Sequence, residues 1–424
     1  MRTYVGSLGC KLNQAEMDAL AEALARAGHE IVGSAAEADL CVFNTCAVTA
    51  VAAQKSRQAL RHLHRQNPNA RLVATGCYAE LAPADVRELP GVAFVAGNRD
   101  KEELARLLAG QEPALAPTLT PTLPPVRVHT RALVKIQDGC DNACTYCIIH
   151  TARGPQRSRP PQEVVAEVRE RHEAGYQEVV LTGVHIGAYG HDRGGELGID
   201  LWELVARILG ATDVPRLRLS SIEPWDLPGD ALRLWAGGRL CPHLHLPLQS
   251  GCDATLRRMA RRYTAAQFAQ LVTAARGAIP DVAITTDLIV GFPGETEDEF
   301  AESLAFVESL GPARAHVFPF SPRPGTPAAA MPGQVSPADK EERAAAMRQA
   351  ASASRQAYEA RFVGCRMQVL WESARDSATG RVWSGLTGNY LRVYTTSDED
   401  LHNRITLARL QGIGGGGLQG KLET

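Results

Sequence analysis

The first quarter of the chain alternates short apolar runs of strand type with longer stretches of helical period. The helical stretches, Asn13–Ala27 and Ala50–Gln66, carry apolar residues three and four positions apart. Strands that alternate with helices pair in parallel, so residues 1–110 predict a parallel α/β domain. The predicted strands are Thr3–Ser7, Leu40–Asn44, Arg71–Thr75 and Val92–Ala96.

The same alternation continues through residues 128–361, where six more strands are predicted. Six β/α units fit an open (β/α)6 barrel better than a flat, doubly wound sheet. In such barrels the chemistry lies at the carboxyl ends of the strands, so we expect the functional residues at one mouth. The predicted strands are Ala132–Gln137, Glu178–Thr182, Arg216–Ser220, His243–Pro247, Ala283–Val290 and Ala315–Phe318.

Residues 362–424 change to a period of two, which predicts a small antiparallel β-barrel. Barrels of this size bind oligonucleotides, but they also serve as structural caps. Before the central segment, residues 111–127 hold prolines at positions 113, 117, 121, 124 and 125, which predicts a semi-extended linker between domains. The predicted strands of the last segment are Arg366–Glu372, Arg381–Ser384, Tyr390–Tyr394 and Arg404–Leu410.

The composition bears on where the protein is located and on which partners it can bind. No cationic, apolar leader occurs at Met1–Asn13, and no apolar run is long enough to span a bilayer. We therefore expect a cytoplasmic monomer without membrane contact, whose cysteines serve metals or catalysis rather than disulfides. The net charge of −2 means that any nucleic acid would be bound by local basic patches. Two patches are candidates; the alternative is that each is only a solvated surface. The first consists of Arg153, Arg157 and Arg159, and the second of Arg257, Arg258, Arg261 and Arg262.

Three cysteines, Cys140, Cys144 and Cys147, follow the first predicted strand of the central barrel. Their spacing wraps a short loop around one corner of a metal cluster. Cubane iron–sulfur clusters are normally held by four cysteines, so three would leave one iron open to a substrate or cofactor. A zinc site is the alternative, because His150 follows Cys147 by three residues and could be the fourth ligand.

Three further cysteines, Cys10, Cys46 and Cys77, each follow the carboxyl end of a successive strand of the N-terminal domain. Open α/β sheets bind ligands in the crevice beyond those ends, so we expect the three thiolates to converge there. They predict a second three-cysteine cluster with an open iron. The alternative is that each of these cysteines is only a small apolar residue at a strand end. Cys41 lies inside a predicted strand and is assigned to the core.

Eight ordered motifs carry a resemblance to a known family: Leu8–Gln14, Asn44–Thr49, Thr75–Tyr78, Gly139–Gly154, Leu181–Gly190, His243–Gly251, Ser321–Thr326 and Gly385–Tyr390. Through them, the chain resembles the radical S-adenosylmethionine (SAM) methylthiotransferases along essentially its full length. Its last segment looks like the TRAM domain of that family, a small β-barrel that binds RNA. Two departures are small: His150 stands where a proline is usual, and Cys252 where a serine is frequent.

The resemblance implies two 4Fe–4S clusters, bound SAM and a radical mechanism. The open iron held by Cys140, Cys144 and Cys147 would bind SAM, and one electron would split SAM into methionine and a 5′-deoxyadenosyl radical. The radical would remove hydrogen from C2 of an adenine, and the N-terminal cluster would deliver a methylated sulfur to that carbon. By position within the motifs, the residues expected to contact SAM are Tyr146, Thr182, Gly183, Glu223, Gln249 and Gly291.

Three branches of that family differ in substrate: isopentenyladenosine in tRNA, a ribosomal-protein aspartate, and threonylcarbamoyladenosine at position 37 of tRNA. Leu8–Gln14, Asn44–Thr49 and Leu181–Gly187 look like the third branch. The expected partners are therefore a tRNA anticodon stem-loop and an electron donor. The other two branches stay open, as does a non-catalytic RNA-binding iron–sulfur sensor, which would need no second open iron. The candidate RNA-stacking residues of the last segment are Trp383, Tyr390 and Tyr394.

Overall fold

The structure, a computed structural model, describes residues 1–108, 110, 129–192, 195–377 and 380–423. The predicted linker, residues 111–127, lies outside the described residues. The fold class is the one expected from the sequence: an N-terminal parallel α/β domain, a central (β/α)6 barrel and a small C-terminal β-barrel. Within the described ranges, no helix has the length and apolar character needed to cross a membrane.

The N-terminal domain is a five-stranded parallel sheet with helices on both faces. Its central strand, Leu40–Thr45, is buried along its whole length, as expected for a parallel sheet that is covered on both sides. The edge strand Glu30–Ile31 was not predicted, because two residues are too few to show a period. The strand order is Glu30–Ile31, Arg2–Ser7, Leu40–Thr45, Arg71–Gly76 and Val92–Val95. The helices are Lys11–Arg26, Ala50–Gln66, Cys77–Leu81, Pro83–Arg87 and Lys101–Leu108, with a 3₁₀ turn at Ala35–Glu37.

The central barrel consists of two three-stranded parallel sheets that single bridges, Leu217 to Leu240 and Ser221 to His245, join into six strands. Along the strands, Leu244 and Val317 pack into the core under the helices, whereas His245 and His316 lie on the opposite, interior face. In chain order, the strands are Ala132–Lys135, Glu178–Thr182, Arg216–Leu219, His243–His245, Ala283–Val290 and Arg314–Pro319.

The helices of the central region alternate with these strands, as βαβ units require. They are Ile149–Arg153, Pro161–Glu173, Leu201–Ala211, Asp253–Arg258, Ala265–Ala278, Glu297–Leu310, Pro327–Ala330 and Pro337–Ala360. Shorter elements are the 3₁₀ segments Ile186–Ala188, Pro224–Asp226 and Gly229–Gly237 and the strand pairs Gln137–Asp138 with Arg157–Ser158 and His191–Asp192 with Gly195–Glu196.

The C-terminal segment closes into a five-stranded barrel, which is consistent with a TRAM domain. One strand, Gly417–Leu422, was not predicted, because its glycines obscure the alternation of apolar and polar residues. Tyr390, predicted to begin a strand, instead lies in a turn at φ +67°. The strand order around the barrel is Arg366–Ser377, Gly380–Thr387, Arg392–Thr396, Gly417–Leu422 and Ile405–Gly414.

Buried arginines fasten this barrel to the central domain. Arg216 donates to the carbonyl oxygens of Leu386 and Gln368 at 3.0 and 2.8 Å. Arg218, which is fully buried, is bound by both carboxylate oxygens of Glu178 and also reaches the barrel's Thr387 carbonyl at 3.4 Å. The two domains therefore share a desolvated charged interface.

Candidate functional site

The loops that carry Cys10, Cys46 and Cys77 meet beyond the carboxyl edge of the N-terminal sheet. Cys10 caps the helix Lys11–Arg26, Cys46 follows the central strand, and Cys77 begins the helix Cys77–Leu81. The backbone of Gly9 lies so close to Cys46 that a Cβ at position 9 would come within 2.9 Å of its Sγ, and Gly9 also has φ +111°. Glycine thus allows the first two loops to approach each other.

Of the N-terminal thiols, Cys46 and Cys77 are buried and Cys10 is exposed. The side-chain amide of Asn98 lies 3.7 Å from the Sγ of Cys77. Burial raises the pKa of Cys46 to about 11, and the nearby thiols of Cys77 and Cys10 add to this rise, while Arg153 opposes it. Without a metal, Cys46 therefore stays protonated at neutral pH, whereas a coordinating metal deprotonates a thiol outright.

The second set, Cys140, Cys144 and Cys147, lies on a loop between the first barrel strand and the helix Ile149–Arg153. All three thiols are free and half-buried. The backbone N–H of Asn142 donates to the Sγ of Cys140 at 3.4 Å. Burial raises the pKa of Cys147 to about 12, and Cys144 and Cys140 add to the rise. The loop therefore presents three neighbouring thiols, with backbone donors, at the mouth of the barrel.

A guanidinium lies against this loop. Nη1 of Arg261 is 3.5 Å from the Sγ of Cys144, and the same side chain forms an ion pair with Glu223 and lies over the ring of Trp225. Glu223, one of the six residues expected to contact SAM, is thus held in place beside the cysteines. The sequence placed Arg261 in a basic patch for RNA; the structure buries it at the cysteine loop, where it is 7% exposed.

The other residues expected to contact SAM lie at the ends of the barrel strands. Tyr146 packs edge-on against Phe292, the neighbour of Gly291, with 6.4 Å between ring centroids. Thr182 ends the second strand, and Gly183 follows in a position where a Cβ would come 2.8 Å from the carbonyl oxygen of Gln137.

Gln249 and Gly291 follow the fourth and fifth strands, both at positive φ. Gln249 is fixed in that conformation by backbone bonds of 2.8 Å to Asp287 and Ile289. The N–H of Gly291 donates to Glu295 at 2.6 Å, so this amide is already occupied. Gly291 can therefore serve a ligand through its carbonyl rather than through its N–H, and the side chain of Lys340 packs against its Cα where a Cβ would stand.

His185 is a site residue that the sequence reading did not single out, although it lies within the motif Leu181–Gly190. Its Nε2 donates to Asp226 at 2.5 Å, and its Nδ1 is 4.0 Å from the Sγ of Cys140. Burial lowers the pKa of His185, but the hydrogen bonds to Asp226 and Cys140 outweigh it and raise the pKa to about 10. A histidine three residues beyond a strand end, inside a recognised motif, was the available signal.

Five charged side chains fill the space between the two cysteine sets. Arg153 bonds Glu16 of the N-terminal domain and Asp138 of the barrel, both at 2.9 Å. Lys101 and Arg153 hold the pKa of Glu16 well below its usual range although burial opposes them. Lys135 completes the cluster with bonds to Glu16 and Asp138. The expectation that Arg153 holds tRNA phosphates is therefore wrong, because its side chain is buried and fully engaged.

Other candidate RNA contacts are also taken up by the protein. Arg159 pairs with Glu167, and Arg258 pairs with Glu299. Trp383 is 1% exposed and belongs to the core of the C-terminal barrel, so it offers no stacking face. Apart from these paired or buried side chains, the candidates Arg157, Arg257 and Arg262 are exposed and Tyr394 is half-buried.

Tyr390 lies at the junction of all three domains. Its ring stacks on His243 of the central barrel with 4.6 Å between centroids, and Lys11 of the N-terminal domain lies over it. Arg218 lies over the same ring at 4.9 Å. The expected stacking of Tyr390 on RNA is therefore replaced by stacking within the protein.

The zinc alternative depends on His150, whose Nδ1 donates to the carbonyl oxygen of Cys140 at 2.9 Å. Over the described ranges, no three or more His, Cys, Asp or Glu side chains are arranged around the position of a single metal ion. A cubane distributes its thiolates over different iron atoms, so its ligands need not share one ion. Each trio of free thiols, with its adjacent N–H donors and arginine, fits a cluster of that kind.

Comparison with known proteins assigns the family. Residues 134–307 match the radical SAM superfamily, and residues 2–97 match an uncharacterized protein family, UPF0004. The chain is 36% identical over 419 residues to the threonylcarbamoyladenosine tRNA methylthiotransferase MtaB of Bacillus subtilis, covering 95% of this chain and 92% of that protein. It is 38% identical over 401 residues to a tRNA-2-methylthio-N(6)-dimethylallyladenosine synthase of Parafrankia, covering 90% and 81%.

The barrel and its cysteine loop thus define a radical SAM enzyme, which carries a 4Fe–4S cluster and uses SAM. Within that class, the chain belongs to the radical SAM methylthiotransferase family. Among solved structures, the chain is similar in fold to the radical SAM methyltransferase TsrM of Kitasatospora setae, with a TM-score of 0.57, 16% identity and 77% of each chain covered. Because the chain belongs to this family, the two alternatives, a zinc site and a non-catalytic iron–sulfur sensor, are rejected.

Proposed function

We propose that this protein adds a methylthio group to C2 of N6-threonylcarbamoyladenosine at position 37 of tRNA. The observation that carries the proposal is the pair of three-cysteine sites, one in each of two domains that meet at a shared charged cluster. A relative with this activity in its name aligns over 95% of the chain, which supports the choice of substrate.

In this proposal Cys140, Cys144 and Cys147 hold the cluster of the radical SAM domain. The three N-terminal cysteines hold a second cluster. When bound, these groups and SAM supply a carbon radical and an activated sulfur, and this chemistry belongs to the cofactors. The protein contributes binding, orientation and exclusion of water.

The residues at the barrel mouth have definite roles in binding. Glu223, oriented by Arg261, presents a carboxylate beside the cysteine loop, where it can bind the amino group or ribose of SAM. Tyr146, packed on Phe292, closes the wall of the pocket and keeps water from the loop. Thr182 and Gly183 supply a strand end without a bulky side chain.

The target adenine needs a surface to replace the stacking that it loses on leaving the anticodon loop. Phe318 offers one at the open edge of the barrel: it is 41% exposed and its ring is nearly parallel to that of His316, with 6.5 Å between centroids. The exposed arginines Arg157, Arg257 and Arg262 remain available for phosphate contacts.

The decisive experiment is nucleoside analysis of tRNA from cells with and without this protein. Loss of 2-methylthio-N6-threonylcarbamoyladenosine supports the proposal. If the 2-methylthio form of isopentenyladenosine is lost instead, the protein is assigned to the isopentenyladenosine branch, as its dimethylallyladenosine synthase relatives are named. Unchanged tRNA in both respects contradicts the proposal.

Cysteine variants test the two sites separately. Replacing Cys140 by alanine is expected to abolish 5′-deoxyadenosine formation, whereas replacing Cys46 is expected to abolish methylthio transfer and leave some SAM cleavage. Iron content should fall to about half of the wild-type value in each case, because each trio would hold one cubane. Cys365, exposed on the C-terminal barrel, is the matched control, and its serine variant should keep full iron. Unchanged iron after replacement of all three N-terminal cysteines would exclude the second cluster.

A further inference from the structure

The helix Ile149–Arg153 connects the two cysteine sites physically. It begins two residues after Cys147, and its Ile149 and Ala152 pack in the apolar cluster of the N-terminal domain that contains Cys77. A helix of the radical SAM domain thus forms part of the wall of the N-terminal site.

Its last residue, Arg153, is tied to two of the three N-terminal cysteine loops. Nη2 of Arg153 donates to the Oδ1 of Asn13 at 2.7 Å. The Nδ2 of Asn13 in turn donates to the carbonyl oxygens of Leu8 and Thr45 at 2.8 and 3.3 Å. Leu8 lies two residues before Cys10, and Thr45 directly precedes Cys46, so one guanidinium fixes both loops through a single amide.

The third N-terminal loop is tied to the same helix. The Nδ2 of Asn98 donates to the carbonyl oxygen of Ala152 at 2.7 Å and lies 3.7 Å from the Sγ of Cys77. The helix and its terminal arginine are therefore linked to all three loops that carry the N-terminal cysteines, through the side-chain amides of Asn13 and Asn98.

Arg153 holds the radical SAM loop as well. Its Nη1 donates to the Oδ1 of Asp138 at 2.9 Å, and that oxygen also accepts the N–H of Gly139, the residue before Cys140. Glu16 accepts from both terminal nitrogens of the guanidinium, from Nη1 at 2.9 Å and from Nη2 at 3.2 Å. A planar fork with five donors can bond these groups at once, which a lysine ammonium cannot do in the same geometry.

We propose that Arg153 is a positioning residue that fixes the separation of the two cysteine sites, so that sulfur held at one reaches the carbon activated at the other. This inference rests on the proposed function. Arg153 acts through Asn13 and Asp138, to which its two terminal nitrogens donate. The loss of this arginine therefore uncouples the two half-reactions and leaves each cysteine set able to bind iron.

The test compares Arg153→Met, Arg153→Lys and the control Arg171→Met. Arg171 also joins the two domains, because it pairs with Glu22 on the helix Lys11–Arg26, but it contacts neither cysteine set. The readout is the amount of methylthiolated nucleoside formed per 5′-deoxyadenosine, with iron content measured in parallel. We expect Arg153→Met to lower this ratio by about 10- to 100-fold at full iron content. Arg153→Lys should recover part of it, and Arg171→Met should keep the wild-type ratio.

Amide hydrogen exchange of the full-length protein, with and without reconstituted iron, gives a readout that does not depend on activity. Exchange around Leu8 and Thr45 should accelerate in Arg153→Met and stay at the wild-type rate in Arg171→Met. A wild-type product ratio with wild-type exchange in Arg153→Met overturns the inference, and so does an equal loss of coupling in Arg171→Met.

Two further outcomes are distinguishable. If Arg153→Met does not fold, Asn98→Ala removes the bond to the Ala152 carbonyl together with the contact to Cys77, and it should lower the product ratio about threefold, about the value of one hydrogen bond. A wild-type ratio in Asn98→Ala then overturns the inference. If the wild-type protein methylthiolates no nucleoside, the proposed function fails, while the exchange comparison still decides the positioning role.

Discussion

Replacing Arg261 by methionine should make the cluster of the radical SAM loop harder to reduce. The guanidinium lies 3.5 Å from the Sγ of Cys144 and is largely shielded from solvent. A positive donor beside a thiolate ligand stabilises the reduced state, in which the cluster carries one more negative charge. Methionine keeps most of the apolar stem and removes the charge.

The size of the shift follows from the hydrogen bond. A hydrogen bond that involves a charged group contributes about 1.5–3 kcal/mol. For a one-electron couple, about 1.4 kcal/mol corresponds to 59 mV, so we expect a midpoint potential about 60–130 mV more negative. Glu223 loses its partner in the same variant, and its unpaired carboxylate acts in the same direction.

The assay is a redox titration followed by electron paramagnetic resonance. Cys10, Cys46 and Cys77 are replaced by alanine in every sample, so that signals from the N-terminal site do not interfere. Arg258→Met is the matched control, because this nearby arginine pairs with Glu299 instead. The reasoning is refuted if the Arg261→Met midpoint stays within about 20 mV of its parent or becomes more positive.

Three other predictions concern stability and RNA. Arg218→Met leaves the fully buried Glu178 without its bidentate partner and should lower the free energy of unfolding by about 3 kcal/mol in urea titrations; no change would contradict it. Burial and Glu22 raise the pKa of Asp18 to about 7, so wild-type stability should fall from about pH 4 to 7, and Asp18→Asn should lack this fall. If the stabilities of the wild type and of Asp18→Asn changed with pH in parallel, this prediction would be wrong. Ending the chain before Phe362 should weaken tRNA binding with a shallower salt dependence; equal affinities and salt slopes would make the barrel a structural cap.

The strand pattern was enough to predict where the N-terminal cysteines lie. Each cysteine follows a predicted strand, and parallel strands end at one edge of a sheet, so Cys10, Cys46 and Cys77 had to meet there. The sequence motifs likewise predicted the loop that begins at Cys140. This inference needed only local periods and the handedness of βαβ units, both of which short stretches of sequence encode.

The sequence could not show which arginines face solvent. Arg153 and Arg261 lie in segments rich in basic residues, and a local reading assigned them to phosphate. Their partners, Glu16 and Glu223, come from distant parts of the chain, and only the tertiary fold brings each pair together. The sequence also could not show that Trp383 is buried. Which face of a strand becomes the core is decided only when the barrel closes.

The charged cluster around Arg153 has a consequence for modularity. A proline-rich stretch separates the N-terminal and central domains in the sequence, which invites construction of chimeras with a cut between them. Such a cut separates Glu16 and Lys101 from Asp138, Lys135 and Arg153, and among the described residues these five charges form their ion pairs with one another. Exchange of domains between homologues is therefore expected to succeed only when both parents carry the same five charges, and substitutions in the two halves should be inherited together.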